Sequence, residues 1–181
     1  MSFANRASAK VFRDKLEIPV IQGGMGVGIS MGKLAGSVAA CGGMGVISTA
    51  LIGFREEDFY QNHVEADVRA LRKEIQIAKE IANGRGMIAI NAMTVTTDYR
   101  ECIEAAVKEG IDAIISGAGL PLALPELVDG KDVLIAPIVS SAKAAALIMR
   151  SWNKKCERKP DFIVVEGSGA GGHLGFKKEE L

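Results

Sequence analysis

Short apolar segments alternate with longer segments of helical period along most of the chain. The short segments are rich in β-branched residues and are apolar at successive positions, which is typical of strands in a parallel sheet that is covered on both faces. Alternation with helices predicts βα units joined by crossover connections. The predicted strands are Ile18–Gln22, Gly45–Thr49, Met87–Asn91, Asp112–Ser116, Val133–Val139 and Asp161–Glu166.

The segments between these strands predict helices. A charged helix over 56–82 carries an apolar stripe made of Val64, Leu71, Ile75 and Ala78. A second helix begins at Asp98, whose side chain can cap it while Glu101 reaches back, and it ends at Gly110. A third helix follows Ser141. No linker or low-complexity segment divides the chain, so residues 1–181 are predicted to form a single domain.

The composition is that of a globular chain with no net charge. Its 181 residues are 48% hydrophobic, and 22 basic residues balance 22 acidic ones. Without a basic surface, neither nucleic acid nor an anionic membrane is an expected partner. No segment suits a signal peptide or a membrane span, so a cytoplasmic protein is expected. The widely spaced cysteines are expected to be reduced thiols rather than a metal site; they are Cys41, Cys102 and Cys156.

Two glycine-rich stretches follow predicted strands. The pentapeptide GGMGV at 23–27 would let a ligand approach the backbone, although a tight turn before the next helix is the simpler explanation. Residues 167–172 fit the G-x-G-x-x-G pattern of dinucleotide-binding folds. That fingerprint needs a long helix and a further strand after it, and only HLGFKKEEL follows here. The second match is therefore weak by itself.

His173 is the candidate for chemistry in the second stretch. Glycines on both sides leave room beside its imidazole for a flat ligand, and Glu166 ends the preceding strand. A histidine at the carboxyl end of a parallel strand can transfer a proton or bind an anion. A solvated loop histidine is the alternative. His63, on the charged helix, is expected to be a surface residue.

Taken together, these stretches resemble the nitronate monooxygenase family, formerly called 2-nitropropane dioxygenases, which is related to the flavin-dependent enoyl-acyl-carrier-protein reductases. The resemblance covers nearly the whole chain, and its last motif is the most specific. The matching segments are IPVIQGGMGVGIS, AACGGMGVIST, INAM, IISGAGLPLALPEL, APIVSSAKAA and VVEGSGAGGHLGF. The resemblance implies an α/β fold of the (β/α)8 TIM-barrel type, with FMN over the carboxyl ends of the strands.

The resemblance also implies roles for individual residues. His173 matches the catalytic histidine, Asn91 matches an asparagine that contacts FMN, and Glu166 matches an acid on the cofactor side. Many relatives have glutamate before Ala-Gly-Gly-His where this chain has Gly169, so the role of that acid does not transfer. The full set implied to bind the cofactor is Gly24, Met25, Gly26, Asn91, Glu166, Gly171 and Gly172.

The number of predicted strands is smaller than a complete barrel requires. A (β/α)8 barrel takes about 250 residues, so only about the first six βα units are expected in this chain. The loops after strands 7 and 8, which commonly hold a phosphate, are then expected to be missing. The first and sixth strands would have unpaired edges, which leaves aggregation or a homo-oligomer open.

Three functions are consistent with these residues and with the resemblance. The first is FMN-dependent oxidation of alkyl nitronates by molecular oxygen, in which His173 binds the anion or removes the α-proton of a neutral nitroalkane. The second is NAD(P)H-dependent reduction of an enoyl thioester on the same scaffold. The third is a catalytically inert barrel fragment. In the first two, the partner is a small-molecule substrate.

Overall fold

The computed structural model describes residues 16–171 and residue 175. These residues form a parallel sheet whose five strands lie side by side in sequence order, which makes half of a barrel. The strands are β1 Met44–Ser48, β2 Met87–Met93, β3 Ala113–Gly117, β4 Leu134–Val139 and β5 Val164–Val165. The helices are α1 Gly32–Ala40, α2 His63–Ala82, α3 Tyr99–Lys108, α4 Leu124–Leu127 and α5 Ala142–Cys156. The predicted parallel βα alternation is confirmed.

The first predicted strand, Ile18–Gln22, is not a full strand, so the prediction of six strands is not confirmed. The segment lies parallel to β1 and shares one bridge with it, between Ile21 and Met44. Its ladder is broken because the Val20 N–H turns back to the Ile18 carbonyl at 2.7 Å, a γ-turn around Pro19. Proline also has no N–H to give to a ladder.

The last predicted strand, Asp161–Glu166, is reduced to the two residues of β5. Its pairing with β4 joins Ile138 to Val164 and Val139 to Val165. The hydrogen bonds extend slightly beyond the strand, because the Glu166 N–H donates to the Val139 carbonyl at 2.8 Å. Both ends of the sheet therefore stop in short, weakly paired segments.

The start of α2 and the capping of α3 differ from their predictions. Helix α2 begins at His63 rather than near residue 56, because Glu56 and Asp58 are turned toward the Arg69 guanidinium at 2.7 and 2.5 Å. Asp98 precedes α3 but makes no capping hydrogen bond; its carboxylate instead accepts from the Cys102 thiol at 3.1 Å. The prediction for α5 is confirmed, since the Ser141 hydroxyl accepts the Ala144 N–H at 3.2 Å.

The sheet separates two apolar layers, as the strands with two apolar faces predict. On the outer face, residues such as Ile47, Ile90 and Ile114 pack against the helices together with Leu71 and Trp152. On the inner face, the side chains of alternate strand positions form a second cluster. That cluster contains Met44, Val46, Met87, Ala89, Ala113, Ile115, Leu134 and Ala136.

Two aspartates fix the register at the amino ends of the strands. The Asp112 carboxylate accepts the Ile88 N–H at 2.9 Å, and the Asp161 carboxylate accepts the Ile135 N–H at 2.8 Å. Each aspartate therefore binds the neighbouring strand near that strand's start. Because all the strands are parallel, a fixed register brings their carboxyl ends to one edge of the sheet, which we call the rim.

The two edges of the sheet expose apolar side chains. Val20, on the segment beside β1, is 52% exposed, and Val165 of β5 is 77% exposed. These are the positions where further strands would continue a barrel. Within residues 16–171, no helix is both long enough and apolar enough to cross a bilayer.

Candidate functional site

A loop at 23–31 crosses the rim beside the end of β1, and its shape is organised by Ser30. This serine is fully buried, and its hydroxyl accepts the Met25 N–H at 2.9 Å while donating to the Gly23 carbonyl at 3.1 Å. The Ser30 N–H in turn donates to the Met25 carbonyl at 3.0 Å. These bonds close residues 23–30 into a compact turn, which we call the glycine loop.

Gln22 attaches the glycine loop to the sheet. Its side-chain amide donates to the Ser30 hydroxyl at 2.7 Å and to the Val46 carbonyl at 3.1 Å, and its carbonyl oxygen accepts the Val46 N–H at 3.3 Å. One glutamine side chain thus replaces the ladder bonds that an adjacent strand would make at this point. Sequence reasoning missed Gln22 and Ser30, although they are the two polar residues that bound the glycine-rich stretch.

The glycine loop reaches β2 at Asn91. The two residues touch so closely that a Cβ atom on Gly24 would collide with the Asn91 Cβ and lie 2.8 Å from its Cγ. Asn91 stands opposite Ser48 in the register, on the inner face of the sheet. Among the described residues, its side-chain amide makes no hydrogen bond, so this group is free to bind a ligand.

The rest of the glycine loop rests on the turn that follows β1. The Val27 N–H donates to the Ala50 carbonyl at 3.1 Å, and a Cβ atom on Gly26 would lie 3.0 Å from the Ala50 Cβ. The Met25 side chain is 43% exposed. Gly24 and Gly26 therefore lie at the rim, where Gly24 contacts Asn91 and Gly26 contacts Ala50.

Backbone strain is concentrated at the same rim. Val27, Leu51 and Ala118 have positive φ angles of 49°, 52° and 52°, and each lies in a loop next to the carboxyl end of a strand. A β-branched residue such as Val27 rarely adopts this conformation. The two remaining described non-glycine residues with positive φ, Asn83 and Glu157, are ordinary helix C-caps. Strain of this kind clusters at functional sites.

The ends of β4 and β5 bind the chain at Gly175. The Ser140 hydroxyl donates to the Gly175 carbonyl at 2.8 Å, and the Glu166 carboxylate accepts the Gly175 N–H at 3.3 Å. Gly171 is exposed, with no heavy atom close to where its Cβ would lie. The other two predicted residues of this motif, Gly172 and His173, lie outside the described residues.

Three groups with shifted pKa lie on the helix side of the sheet. Burial raises the pKa of the Asp67 carboxyl on α2, and the nearby Asp98 raises it further. Burial also raises the pKa of the Tyr99 hydroxyl, which is 2.8 Å from the Ser116 hydroxyl. The pKa of the Cys102 thiol is raised by burial first and by Asp98 second, so this cysteine stays protonated. His63, as predicted, is exposed, with its imidazole 3.0 Å from the Thr97 hydroxyl.

A parallel β/α half-barrel with a strained, glycine-lined rim at its carboxyl end belongs to the class of barrel proteins that carry their sites at this end. Two solved structures are similar to it. FabK from Thermotoga maritima is 23% identical with a TM-score of 0.69, and the match covers 92% of this chain and 46% of FabK. Its M276A mutant is 22% identical with a TM-score of 0.70, and the match covers 92% of this chain and 48% of the mutant. This chain therefore spans less than half the length of either structure.

The sequence comparison defines the family. Residues 9–181 match the nitronate monooxygenase family, so the chain belongs to that family. The resemblance inferred from the motifs is thereby confirmed. No curated protein matches the sequence.

Proposed function

We propose that the intact protein is an FMN-dependent oxidoreductase that oxidises alkyl nitronates with molecular oxygen. The observation that carries this proposal is the contact between Gly24 and Asn91, which brings the glycine loop and a free carboxamide together on the inner side of the rim. Family membership supplies the cofactor class, and the rim supplies a surface of suitable shape and polarity.

The described residues fit the flat ring system of a flavin. The exposed backbone at Gly171 has open space where a side chain would otherwise stand, which would let a planar group lie against the chain. The Asn91 carboxamide would hold such a group by donating and accepting hydrogen bonds. The inner-face cluster of apolar strand residues lies on the same face of the sheet as Asn91. The proposed FMN-binding residues are Gly24, Met25, Gly26, Asn91, Glu166, Gly171 and Gly172.

Bound FMN would supply electron transfer, and the chain's own residues would position the substrate and move the proton. We assign His173 the role of catalytic base or anion binder, because an imidazole can take the α-proton of a neutral nitroalkane near neutral pH or hold the charge of a nitronate. Glu166 and Ser140 support this role indirectly, since they hold Gly175 at the rim.

The test is anaerobic mixing of the purified, flavin-loaded protein with a preformed alkyl nitronate, followed at the visible flavin absorption. Rapid bleaching by the nitronate, reversed when oxygen is admitted, is the expected result. Bleaching by NADPH but not by the nitronate would overturn the assignment.

A second candidate, NAD(P)H-dependent enoyl-thioester reductase, is favoured by the similarity to FabK, an enoyl-acyl-carrier-protein reductase of the same family. The mixing experiment separates the two functions, because the reductase requires bleaching by NADPH.

A third candidate is a catalytically inert barrel fragment, because the match covers only 46% of FabK. A colourless preparation that releases no flavin on heating would support it.

A further inference from the structure

Asp67 is a buried carboxyl group on the outer layer of the protein, and the site described above does not use it. It lies on α2 among the apolar residues Ala66, Ala70 and Leu71, and it is 2% exposed. Its Oδ1 accepts the N–H of Gly53 at 2.6 Å. A carboxyl group in such a position is costly to bury, so a specific partner is expected.

Gly53 lets the turn after β1 settle directly on α2. A Cβ atom at this position would lie 2.5 Å from the Ala66 carbonyl carbon and 2.7 Å from the Asp67 nitrogen. No larger residue could keep the hydrogen bond to Asp67 without moving the turn away from the helix. Asp67 and Gly53 therefore form a close-fitting attachment between α2 and the turn.

The turn that Asp67 holds is the one on which the glycine loop rests. At its start, the Thr49 N–H donates to the Asn91 carbonyl at 3.0 Å. In its middle, Ala50 accepts the Val27 N–H at 3.1 Å. Leu51, between Ala50 and Gly53, has a φ of 52°, so the turn is strained and needs restraint at both ends.

We propose that Asp67 is a positioning residue for the cofactor-facing glycine loop. Its acceptor oxygen holds Gly53, Gly53 fixes the strained turn, and the turn's Ala50 fixes Val27 and Gly26. The functional part of this proposal rests on the proposed function, in which the glycine loop faces the flavin. The structural part of the proposal is that loss of the Asp67 acceptor weakens the hydrogen bond of the Val27 N–H. This part does not depend on any cofactor.

The test compares Asp67→Ala, which removes the acceptor, with Asp67→Asn, which keeps an oxygen of the same shape. Asp58→Ala is the matched control, because Asp58 is a partly exposed aspartate in the segment after the turn, and its carboxylate accepts hydrogen bonds from Arg69 on α2 and from the Asn62 side chain. Amide hydrogen exchange is measured on the intact protein without flavin at Val27, Gly53 and the β3 amides. The FMN dissociation constant is then measured for each protein.

In Asp67→Ala we expect exchange at both Val27 and Gly53 to rise about tenfold, the usual effect of removing a buried hydrogen-bond acceptor, with β3 amides changing less. Asp67→Asn should stay within about threefold of the unsubstituted protein, since an amide oxygen still accepts. FMN binding should weaken about tenfold in Asp67→Ala alone. Asp58→Ala should change none of these values.

A rise at Gly53 without a rise at Val27, or an equal rise at every amide, would overturn the proposal. If Asp67→Ala does not fold, amide hydrogen exchange of the unsubstituted protein is measured at increasing denaturant concentration instead. The proposal requires the amides of Val27 and Gly53 to exchange through one opening reaction with the same free energy of opening. Different free energies of opening for the two amides would contradict it. If the unsubstituted protein binds no FMN, the proposed function fails, yet the exchange result still tests the coupling.

Discussion

Gly24 and Asn91 are packed so tightly that only a residue without a side chain can stand opposite the asparagine. A Cβ atom on Gly24 would collide with the Asn91 Cβ and lie 2.8 Å from its Cγ. This contact joins the glycine loop to β2 and determines where the free Asn91 amide lies.

Gly24→Ala is expected to displace Asn91 and to reduce bound flavin sharply. Because the new methyl group meets a strand residue, the free energy of unfolding should fall by about 1–3 kcal/mol. Gly23→Ala is the matched control, since no heavy atom lies within 4 Å of a Cβ at residue 23. The measurements are the flavin-to-protein ratio and urea unfolding. Equal flavin loss in both variants would show that the contact with Asn91 is not the cause.

Asn91→Ala is expected to weaken FMN retention while leaving the fold intact. The side-chain amide has no hydrogen-bond partner among the described residues, so its removal leaves no described protein group unsatisfied. Asn153→Ala, on the exposed side of α5, is the control. Flavin titration by fluorescence quenching checks the result. Unchanged FMN affinity in Asn91→Ala would remove this residue from the proposed site.

His173→Asn is expected to leave flavin binding nearly intact and to slow turnover of neutral nitroalkanes by about 10²–10⁴-fold, the usual contribution of a positioned acid–base group. Asparagine retains a hydrogen-bonding group but cannot take a proton near neutral pH. Preformed nitronates need no deprotonation, so they should be affected less, unless the imidazole mainly holds their charge. The measurements are the turnover of neutral nitroalkanes and of preformed nitronates, together with the flavin content, for the unsubstituted protein and for His173→Asn. Loss of FMN as the chief effect would make His173 a structural residue.

Ser30→Ala is expected to loosen the glycine loop and to lower the free energy of unfolding by about 1–3 kcal/mol, because buried partners lose their hydrogen bonds. Ser37→Ala on α1 is the control, since that hydroxyl is exposed and donates only to the Lys33 carbonyl one turn earlier. Thermal unfolding and flavin content are measured together. A Ser30→Ala protein as stable as Ser37→Ala would contradict the organising role of Ser30.

Asp67→Asn is expected to make the protein as stable as the unsubstituted chain at pH 7, or more stable. Burial raises the pKa of Asp67, so the folded state favours the protonated form, and stability from this group is lost as the pH rises from about 4 through the raised pKa. Asparagine keeps the acceptor for Gly53 and cannot ionise. Urea unfolding between pH 4 and 8 should show the difference between the proteins shrinking toward low pH. A difference in the free energy of unfolding that grows toward low pH would contradict a raised pKa of Asp67 in the folded state.

The sequence by itself determined the parallel β/α order, the two apolar faces of the sheet and the Ser141 cap of α5. These features depend on residues close together in the chain, where hydrophobic period and capping chemistry act locally. The motifs also identified the family, because its glycine-rich stretches and its last motif follow predicted strands. They placed Gly24 and Asn91 at strand ends, which share one edge in any parallel sheet.

Only the tertiary structure decided the features that depend on contacts between distant segments. The segment 18–22 is not a strand because a γ-turn interrupts its pairing with β1, and Asp98 binds Cys102 instead of capping α3. Helix α2 begins at His63 rather than near residue 56, because the carboxylates of Glu56 and Asp58 bind the Arg69 guanidinium and the segment before the helix forms turns. The burial of Ser30 and the attachment of Gly53 to Asp67 leave no local signal, since each depends on which backbone groups packing brings within hydrogen-bond distance.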